Sequence, residues 1–123
     1  EPADIVRARV GQEMLIGVST HSSAEITLAA EKGADFVTFG PVYKTPSKEK
    51  FGEPQGLEKL AEACQNSRIP VFALGGITPG RVAEVHQAGA DGIALISAII
   101  ASSDPRSSAK TFMTCGRCSQ PVE

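Results

Sequence analysis

Short apolar runs alternate along this chain with longer segments in which apolar residues recur every three or four positions. Uninterrupted apolar runs of about four to eight residues are typical of buried strands, whereas the three-to-four spacing is typical of helices that pack one face against a core. The runs assigned to strands are Leu15–Val18, Phe36–Phe39, Ile69–Leu74 and Gly92–Ile96. Helices between consecutive strands predict parallel pairing with right-handed crossovers.

The segment after the first run has clear helix signals. We predict a helix over Ser22–Lys32, because Ser22 and Glu25 have the spacing of a capping box that satisfies free N–H groups of the first turn. Gly33 is expected to end this helix, since glycine readily adopts the left-handed conformation found there.

Four further helical segments are predicted. One follows Gly56, and its apolar stripe consists of Leu57, Leu60, Ala61 and Cys64. Another opens with Thr78 as the N-cap and Pro79 in the first turn, and it ends at Gly89. The last two are Ser97–Ser102 and Pro105–Phe112.

One motif occurs twice. Ala30–Asp35 resembles His86–Asp91: each combines a helix end, a glycine, and an Ala-Asp pair that leads into an apolar run. The chain therefore uses the same βα unit more than once. Four such units are half of a closed (β/α)8 barrel. An open doubly wound sheet is the alternative, although its usual G-x-G-x-x-G fingerprint is absent.

Composition narrows the possible partners. The chain has 123 residues, a net charge of -2 and 21% charged residues, which fits one globular domain and gives no reason to expect a nucleic-acid or anionic-membrane partner. The longest apolar run, Ile93–Ala101, is too short to cross a bilayer. No signal-peptide pattern is present, so we expect a cytoplasmic protein.

The C-terminal residues have a different character. Cys115 and Cys118 form one C-x-x-C pair in a polar segment, whereas a structural zinc site needs four ligands. We therefore expect residues 1–112 to form the half-barrel and residues 113–123 to be a disordered polar tail. An odd number of cysteines also makes a disulfide framework unexpected.

Small and hydroxyl-bearing residues stand where the predicted strands end. They are Ser19, Gly40, Gly75, Gly76 and Ser97. Small residues let backbone N–H groups approach an anion, and helix N-termini carry a positive dipole end. This composition suits a phosphate site at the carboxyl ends of parallel strands. The alternative is that the glycines only make a tight turn and Ser97 only caps a helix.

The connection from Gly40 to Gly56 is unusually long and basic. Lys48 adjoins Ser47 and lies close to Thr45, so one ammonium and two hydroxyls could hold a pyrophosphate through charge-assisted hydrogen bonds. A solvated surface loop is the alternative. His21 could act in proton transfer, but a histidine that braces a loop is the more frequent case, and we expect His86 to be a surface residue.

Several motifs occur together in a specific order. They are Ile16–His21, Gly40–Lys48, Gln55–Leu57, Ala73–Pro79, Ala88–Gly92 and Ile96–Ile99. Over about residues 3–112 the chain resembles the second half of a thiamine-phosphate synthase. That family has a (β/α)8 barrel and joins hydroxymethylpyrimidine pyrophosphate to thiazole phosphate, forming thiamine phosphate and releasing pyrophosphate.

The resemblance also implies roles for individual residues. Ser19 and Lys48 would hold the pyrophosphate and take part in catalysis, and Thr45 and Ser47 would line the site between the substrates. The residues that would cradle the thiazole phosphate are Gly76, Ile96 and Ser97. The family uses Mg²⁺, whose acidic ligands lie in the first half of the barrel and are not expected in this chain.

The resemblance leaves alternatives open. A thiazole tautomerase, an isomerase of the same fold, usually has a histidine where this chain has Pro41, so the synthase is favoured. A non-catalytic phosphate-binding half-barrel is a third hypothesis. We expect the chain to be inactive alone and to be either a piece of a longer protein or one of two copies that complete a barrel. The expected partners are small phosphorylated molecules.

Overall fold

The computed structural model describes residues 2–44, 53–95, 103–104, 106–107 and 110. The elements, in chain order, are α1 (Ala3–Val10), β1 (Gly17–Thr20), α2 (Ser23–Glu31), β2 (Phe36–Phe39), α3 (Gly56–Asn66), β3 (Val71–Leu74), α4 (Val82–Gln87) and β4 (Gly92–Ala94). The four strands form one parallel sheet in the order β1-β2-β3-β4. The predicted alternation of parallel strands and helices is confirmed. None of the helices in these ranges is long and apolar enough to span a membrane.

The helices cover one face of the sheet. Side chains alternate between faces along a strand, and the register aligns Val37 with Val71 and Phe39 with Ala73. These four side chains are buried. The helix residues that share their core are Ile26, Ala29, Leu60, Ala63, Val82 and Val85. The core therefore lies between this face and helices α2, α3 and α4.

The opposite face of the sheet is open and partly exposed. Phe36 and Phe72 meet there edge to face, with ring centroids 5.5 Å apart and an interplanar angle of 81°. Each ring covers a glycine of the neighbouring strand. A Cβ on Gly17 would overlap the ring of Phe36, and a Cβ on Gly92 would lie 2.7 Å from a ring carbon of Phe72. In a closed barrel this face would line the interior.

Helix α1 was not predicted, because Ala3–Val10 has no sustained apolar stripe and buries only Ala3. Asp4 in its first turn and Arg7 and Arg9 in its last turn complement the helix dipole. It contacts the rest of the fold through Ala3 and Val6, which pack at the core, and through the polar side chain of Arg7. Hydrophobic periodicity gives no signal for a helix that is held in this way.

Two predicted strand starts were wrong by two residues. Leu15 is 78% exposed, and the pairing of β1 with β2 begins at Gly17. The end of β1 also differs from the prediction, because the pairing continues to Thr20 and includes Ser19. Strand β3 begins at Val71 rather than Ile69. Pro70 has no N–H to donate to a neighbouring strand, so the ladder starts after it.

The helix-start predictions had mixed outcomes. Ser22 caps α2 by accepting a hydrogen bond from the Glu25 N–H (3.2 Å), and Glu25 accepts one from the His21 N–H (3.0 Å), so this capping pair is confirmed. Gly33 ends the helix with a φ of 97°, as predicted. Thr78 was expected to cap the next helix, but its side chain makes no capping hydrogen bond, and the 3-10 turn Pro79–Arg81 precedes α4.

The predicted helices at the C-terminal end fall largely outside the described residues. Within Pro105–Phe112, Arg106, Ser107 and Lys110 are helical. Ser97–Ser102 and the tail with Cys115 and Cys118 are not described, so the predictions made for them stay predictions.

The repeated Ala-Asp motif has the same structural role in both copies. The Asp35 N–H donates to the Ile16 carbonyl (2.8 Å), and the Asp35 carboxylate accepts the Ile16 N–H (2.8 Å). Asp91 pairs in the same way with Val71, with both distances 2.9 Å. Each aspartate therefore joins the start of its own strand to the start of a neighbouring strand at the amino-terminal edge of the sheet.

Arg7 extends the first of these aspartate contacts. Its guanidinium donates to the carbonyls of Gly11 (3.0 Å), Met14 (2.7 Å) and Gly33 (2.9 Å), and to the Asp35 carboxylate (2.6 Å). The Arg7 side chain is only 14% exposed. The Ile16 N–H and then the Arg7 guanidinium lower the pKa of Asp35 below its usual range. One side chain thus connects α1, the turn after α2 and the start of β2.

The loops after β2 and β3 pack backbone against backbone. Gly40 lies directly beside Leu74, and a Cβ on Gly40 would overlap the Leu74 carbonyl oxygen and lie 3.0 Å from the carbonyl carbon. The Val42 N–H also donates to the Leu74 carbonyl (2.9 Å). A side chain at position 40 would therefore separate the two strand ends.

We expect Asp35→Asn to destabilise the protein at about pH 7, because the amide loses the ion pair with Arg7. The Asp35 carboxylate contributes to the free energy of unfolding, and this contribution is fully present above the pKa of about 4 that the group has in the unfolded chain. It is lost as the pH falls through the lowered pKa of Asp35 in the folded state. Urea unfolding should therefore show a large difference from the unaltered protein at about pH 7 and a smaller one at about pH 3. Glu62→Gln, at an exposed helix position, is the matched control. An Asp35→Asn difference that is equal at both pH values would contradict this expectation.

We expect Gly40→Ala to lower the free energy of unfolding by about 1–3 kcal/mol, the usual range for overpacking. Gly80→Ala is the control, because a Cβ on Gly80 has open space around it. Chemical unfolding of both variants measures the difference. Equal stability of the two variants would show that the contact between Gly40 and Leu74 can relax without cost.

Candidate functional site

The carboxyl ends of the four strands lie along one edge of the sheet, where parallel α/β folds bind their ligands. The residues that directly follow the strands are His21, Gly40, Gly75 and Leu95, and none of them is acidic. In the described ranges, no three His, Cys, Asp or Glu side chains are grouped so that they could hold a metal ion. Among these described residues, the edge has none of the carboxylates that divalent cations prefer.

Ser19 is the predicted site residue on the first strand. It is aligned with Thr38 in the parallel register and is exposed on the open face of the sheet. The next residue, Thr20, points to the covered face, is buried, and donates its hydroxyl to the Thr38 carbonyl (2.8 Å). Of these two hydroxyls, only that of Ser19 faces the side on which a ligand could approach.

The Gly75–Gly76 turn after β3 requires glycine at both positions. Their φ angles are 103° and 67°, which lie in the left-handed region. A Cβ on Gly75 would lie 2.6 Å from Pro41, and one on Gly76 would lie 2.8 Å from the Lys44 carbonyl and from Tyr43 Cβ. The turn is therefore a tight turn packed against the β2 loop, as the structural alternative predicted.

The same turn directs its N–H groups away from that loop. The Gly75 carbonyl accepts the Tyr43 N–H (3.1 Å), and the Gly76 carbonyl accepts a hydrogen bond from Arg81 Nη1 (2.7 Å). In a trans peptide the following N–H points opposite to the carbonyl. The N–H groups of Gly76 and Ile77 therefore point away from these donors, and neither donates to another residue within the described ranges. The tight turn is thus compatible with a role in anion binding.

Three side chains that the sequence did not single out surround this turn. The Arg81 guanidinium carbon lies 4.3 Å from the centre of the Tyr43 ring. The Tyr43 hydroxyl donates a hydrogen bond to Glu84 Oε1. Burial, and then the Glu84 carboxylate, raise the pKa of Tyr43 to about 12. The sequence offered no signal for this cluster, because Tyr43 and Glu84 lie on different elements and are 41 positions apart.

The long loop is tied together at its base. The Gln55 N–H donates to the Pro41 carbonyl (2.7 Å), and the Gly56 N–H donates to the Val42 carbonyl (2.9 Å). The two ends of the loop therefore lie side by side next to the Gly75–Gly76 turn.

Most of the predicted site residues fall outside the described ranges. The structure places Ser19 and Gly76 at the expected edge of the sheet, on β1 and after β3. The remaining residues are Thr45, Ser47, Lys48, Ile96 and Ser97, and their roles stay predictions.

The two histidines lie in structural settings. His21 Nδ1 is 3.7 Å from Glu25 Oε1, and both side chains are exposed, an arrangement that fits a brace for the start of α2. His86 was expected to be a surface residue, and it is partly exposed on α4, with Nδ1 3.3 Å from the Ala90 carbonyl oxygen.

Comparisons with known proteins place these features in a family. A curated protein of Geobacter sulfurreducens, whose name refers to thiamine-phosphate synthase, is 51% identical over 112 residues, which are 91% of this chain and 53% of that protein. A thiamine-phosphate synthase of Synechococcus sp. is 45% identical over 107 residues, which are 87% of this chain and 30% of that protein. The chain thus spans about half the length of the first relative and less of the second.

A solved structure of a thiamine phosphate pyrophosphorylase has the same fold over nearly the whole of this chain. The thiamine phosphate pyrophosphorylase from Pyrococcus furiosus superposes with a TM-score of 0.87 at 30% identity, covering 98% of this chain and 57% of that one. The family model described as thiamine monophosphate synthase matches residues 1–99. Both the expected half-barrel fold and the expected resemblance are confirmed, and the chain belongs to the thiamine monophosphate synthase family.

Proposed function

We propose that this chain supplies the phosphate-binding half of a thiamine-phosphate synthase, which joins hydroxymethylpyrimidine pyrophosphate to thiazole phosphate. The observation that carries the proposal is the arrangement at the carboxyl edge of the sheet. The Gly75–Gly76 turn leaves the N–H groups of Gly76 and Ile77 without a hydrogen-bond partner among the described residues, and the base of the long loop lies directly beside it. Two neighbouring sites for phosphate groups are what a reaction between two phosphorylated substrates requires.

The reaction breaks a C–O bond and forms a C–N bond. The electron pair of the C–O bond leaves with pyrophosphate, and a pyrimidine-methyl cation remains. The lone pair of the thiazole nitrogen then closes the new C–N bond. Negative charge grows on the departing pyrophosphate, so hydrogen-bond donors fixed around it stabilise the transition state more than the substrate.

We assign a role to each predicted site residue according to where negative charge lies on the two substrates. Ser19, exposed on the open face of the sheet, and Lys48 hold the pyrophosphate, and Lys48 supplies positive charge where the negative charge grows. Thr45 and Ser47 line the space between the two substrates. The residues that cradle the thiazole phosphate are Gly76, Ile96 and Ser97.

Within the described ranges, no group of three His, Cys, Asp or Glu side chains could form a Mg²⁺ site. Mg²⁺ binds carboxylates and phosphate oxygens, and the described residues that directly follow the strands include no Asp or Glu. We propose that the Mg²⁺ used by this family is held by carboxylates in a part of the full-length protein outside this chain. The donors described above act on the phosphate groups independently of that ion.

The environment of Pro41 favours the synthase over the thiazole tautomerase. Pro41 is buried, and its Cα and Cβ pack against Gly75. Proline has no group that can carry a proton, so this position cannot supply the acid–base chemistry that an isomerase needs.

We expect the full-length protein to form thiamine phosphate and pyrophosphate from the two substrates in the presence of Mg²⁺, and this chain alone to form neither. Product analysis by chromatography measures both compounds. Isomerisation of a thiazole phosphate without coupling would instead identify a tautomerase. Phosphate binding without any turnover by the folded full-length protein would identify a non-catalytic binding protein.

We expect Lys48→Ala to lower kcat by about 100-fold, with a much smaller change in the KM for either substrate, because a fixed donor to a developing anion acts mainly in the transition state. Lys59→Ala, which removes an exposed lysine of α3, is the matched control and should leave kcat unchanged. Steady-state kinetics of both variants test the role. A kcat for Lys48→Ala equal to that of the unaltered protein would remove Lys48 from the mechanism.

A further inference from the structure

We infer that Arg81, Tyr43 and Glu84 form a positioning cluster that fixes the Gly75–Gly76 turn against the base of the long loop and thereby sets the affinity for the thiazole phosphate. The inference rests on the proposed function, because it assigns that turn to the phosphate of one substrate. None of the three residues needs to touch the substrate, so each acts through the backbone of the turn.

The first step is the contact between Arg81 and the turn. Arg81 Nη1 donates to the Gly76 carbonyl at 2.7 Å. Because that peptide is trans, fixing the carbonyl also fixes the N–H of Ile77 in the opposite direction. A charged donor holds a carbonyl more strongly than a neutral one. Arg81 therefore limits rotation of the peptide that joins Gly76 to Ile77 and carries the Ile77 N–H.

The second step is the contact between Arg81 and Tyr43. The guanidinium carbon is 4.3 Å from the ring centre, so the ring supports the arginine from one side. The backbone of Tyr43 acts on the same turn, because its N–H donates to the Gly75 carbonyl at 3.1 Å. The side chain and the backbone of one loop residue thus hold two consecutive peptides of the turn.

The third step is the contact between Tyr43 and Glu84. The Tyr43 hydroxyl donates to Glu84, which lies in the first turn of α4, three positions after Arg81. The Tyr43 hydroxyl is protonated throughout the neutral range, as an ordinary tyrosine is, and can therefore donate this hydrogen bond. Glu84 therefore accepts from the hydroxyl of Tyr43 while Arg81 stacks on its ring, and the two contacts together hold the ring in place.

The cluster connects two segments that the reaction requires at a constant separation. Tyr43 directly follows Val42, whose carbonyl helps close the base of the long loop, and Gly76 belongs to the turn. A shift of Tyr43 would move the base of the loop and the turn relative to each other. The effect should appear in the binding of thiazole phosphate, because the turn is the part that loses its fixed orientation.

Steady-state kinetics of the full-length protein test the inference. Arg81→Ala should raise the KM for thiazole phosphate about 10- to 100-fold, which corresponds to the loss of one charged hydrogen bond. The KM for the pyrimidine pyrophosphate and kcat should change less than about threefold. Tyr43→Phe keeps the ring under Arg81 and should raise the same KM only a few-fold. Glu84→Ala removes the acceptor of the Tyr43 hydroxyl and should raise the same KM a few-fold, whereas Glu84→Gln, which can still accept, should raise it less.

Controls separate positioning from stability. A variant that only folds less well has fewer active molecules, which lowers the apparent kcat but leaves KM unchanged. Arg68→Ala, which removes an exposed arginine, should leave both unchanged. Unchanged KM values in Arg81→Ala, or equal increases in both KM values, would overturn the inference.

The two proposals can fail separately. If the unaltered full-length protein makes no thiamine phosphate, the proposed synthase function fails. The positioning inference is then decided by the binding of inorganic phosphate, measured by calorimetry on the unaltered protein and on Arg81→Ala. Binding that is at least about tenfold weaker to Arg81→Ala supports the inference. Equal binding, or no binding to either protein, overturns it.

Discussion

The carboxylate of Asp35 accepts the N–H of Ile16 and the guanidinium of Arg7, and the N–H of Asp35 donates back to the carbonyl of Ile16. This exchange fixes where β1 and β2 begin relative to each other. Asp91 and Val71 make the same exchange between β3 and β4, two βα units further along. Because side chains alternate along a strand, a shift of one residue would turn every core side chain to the open face. The two aspartates therefore hold the register on which the core depends.

The register at the amino-terminal edge also determines the arrangement at the carboxyl edge. The first three strands are only four residues long, so fixing their starts also fixes their ends. Gly40 then meets the carbonyl of Leu74, and Gly75 meets Pro41, with no side chain between the backbones. At the other edge of the sheet the Val37 N–H donates to the Pro70 carbonyl (3.0 Å), and this β2–β3 contact, rather than either aspartate, helps to place the loops after β2 and β3 side by side. Structural residues and candidate site residues occupy opposite ends of the same strands.

Features set by residues close together in the sequence could be predicted, whereas features set by contacts between distant residues could not. The strands and the capping pair of Ser22 and Glu25 follow from local patterns, and they were predicted. The glycine end of α2 at Gly33 was predicted for the same reason. Helix α1 was missed because Arg7 connects it to residues as far as 28 positions away. The start of β1 was misplaced because apolar character alone cannot show that pairing begins only at Gly17.

In the candidate site, too, some residues could be recognised from the sequence and others could not. The glycines of the turn and the serine of β1 could be recognised because residue type alone indicates what they can do. The cluster of Tyr43, Arg81 and Glu84 could not, because its members come from two elements and each is an ordinary surface residue by type. A contact between an arginine and a distant tyrosine leaves no periodic signal. Such positioning residues become visible only when the fold brings their elements together.

The rings of Phe36 and Phe72 each occupy the space left by a glycine on the adjacent strand. Volume on the open face is thus shared between neighbouring strands: one provides a ring and the other provides room for it. A larger residue at Gly17 requires a smaller one at Phe36, and the same holds for Gly92 and Phe72. Exchanging the large and small partners within a pair is therefore the natural route by which the interior of this half-barrel could be redesigned.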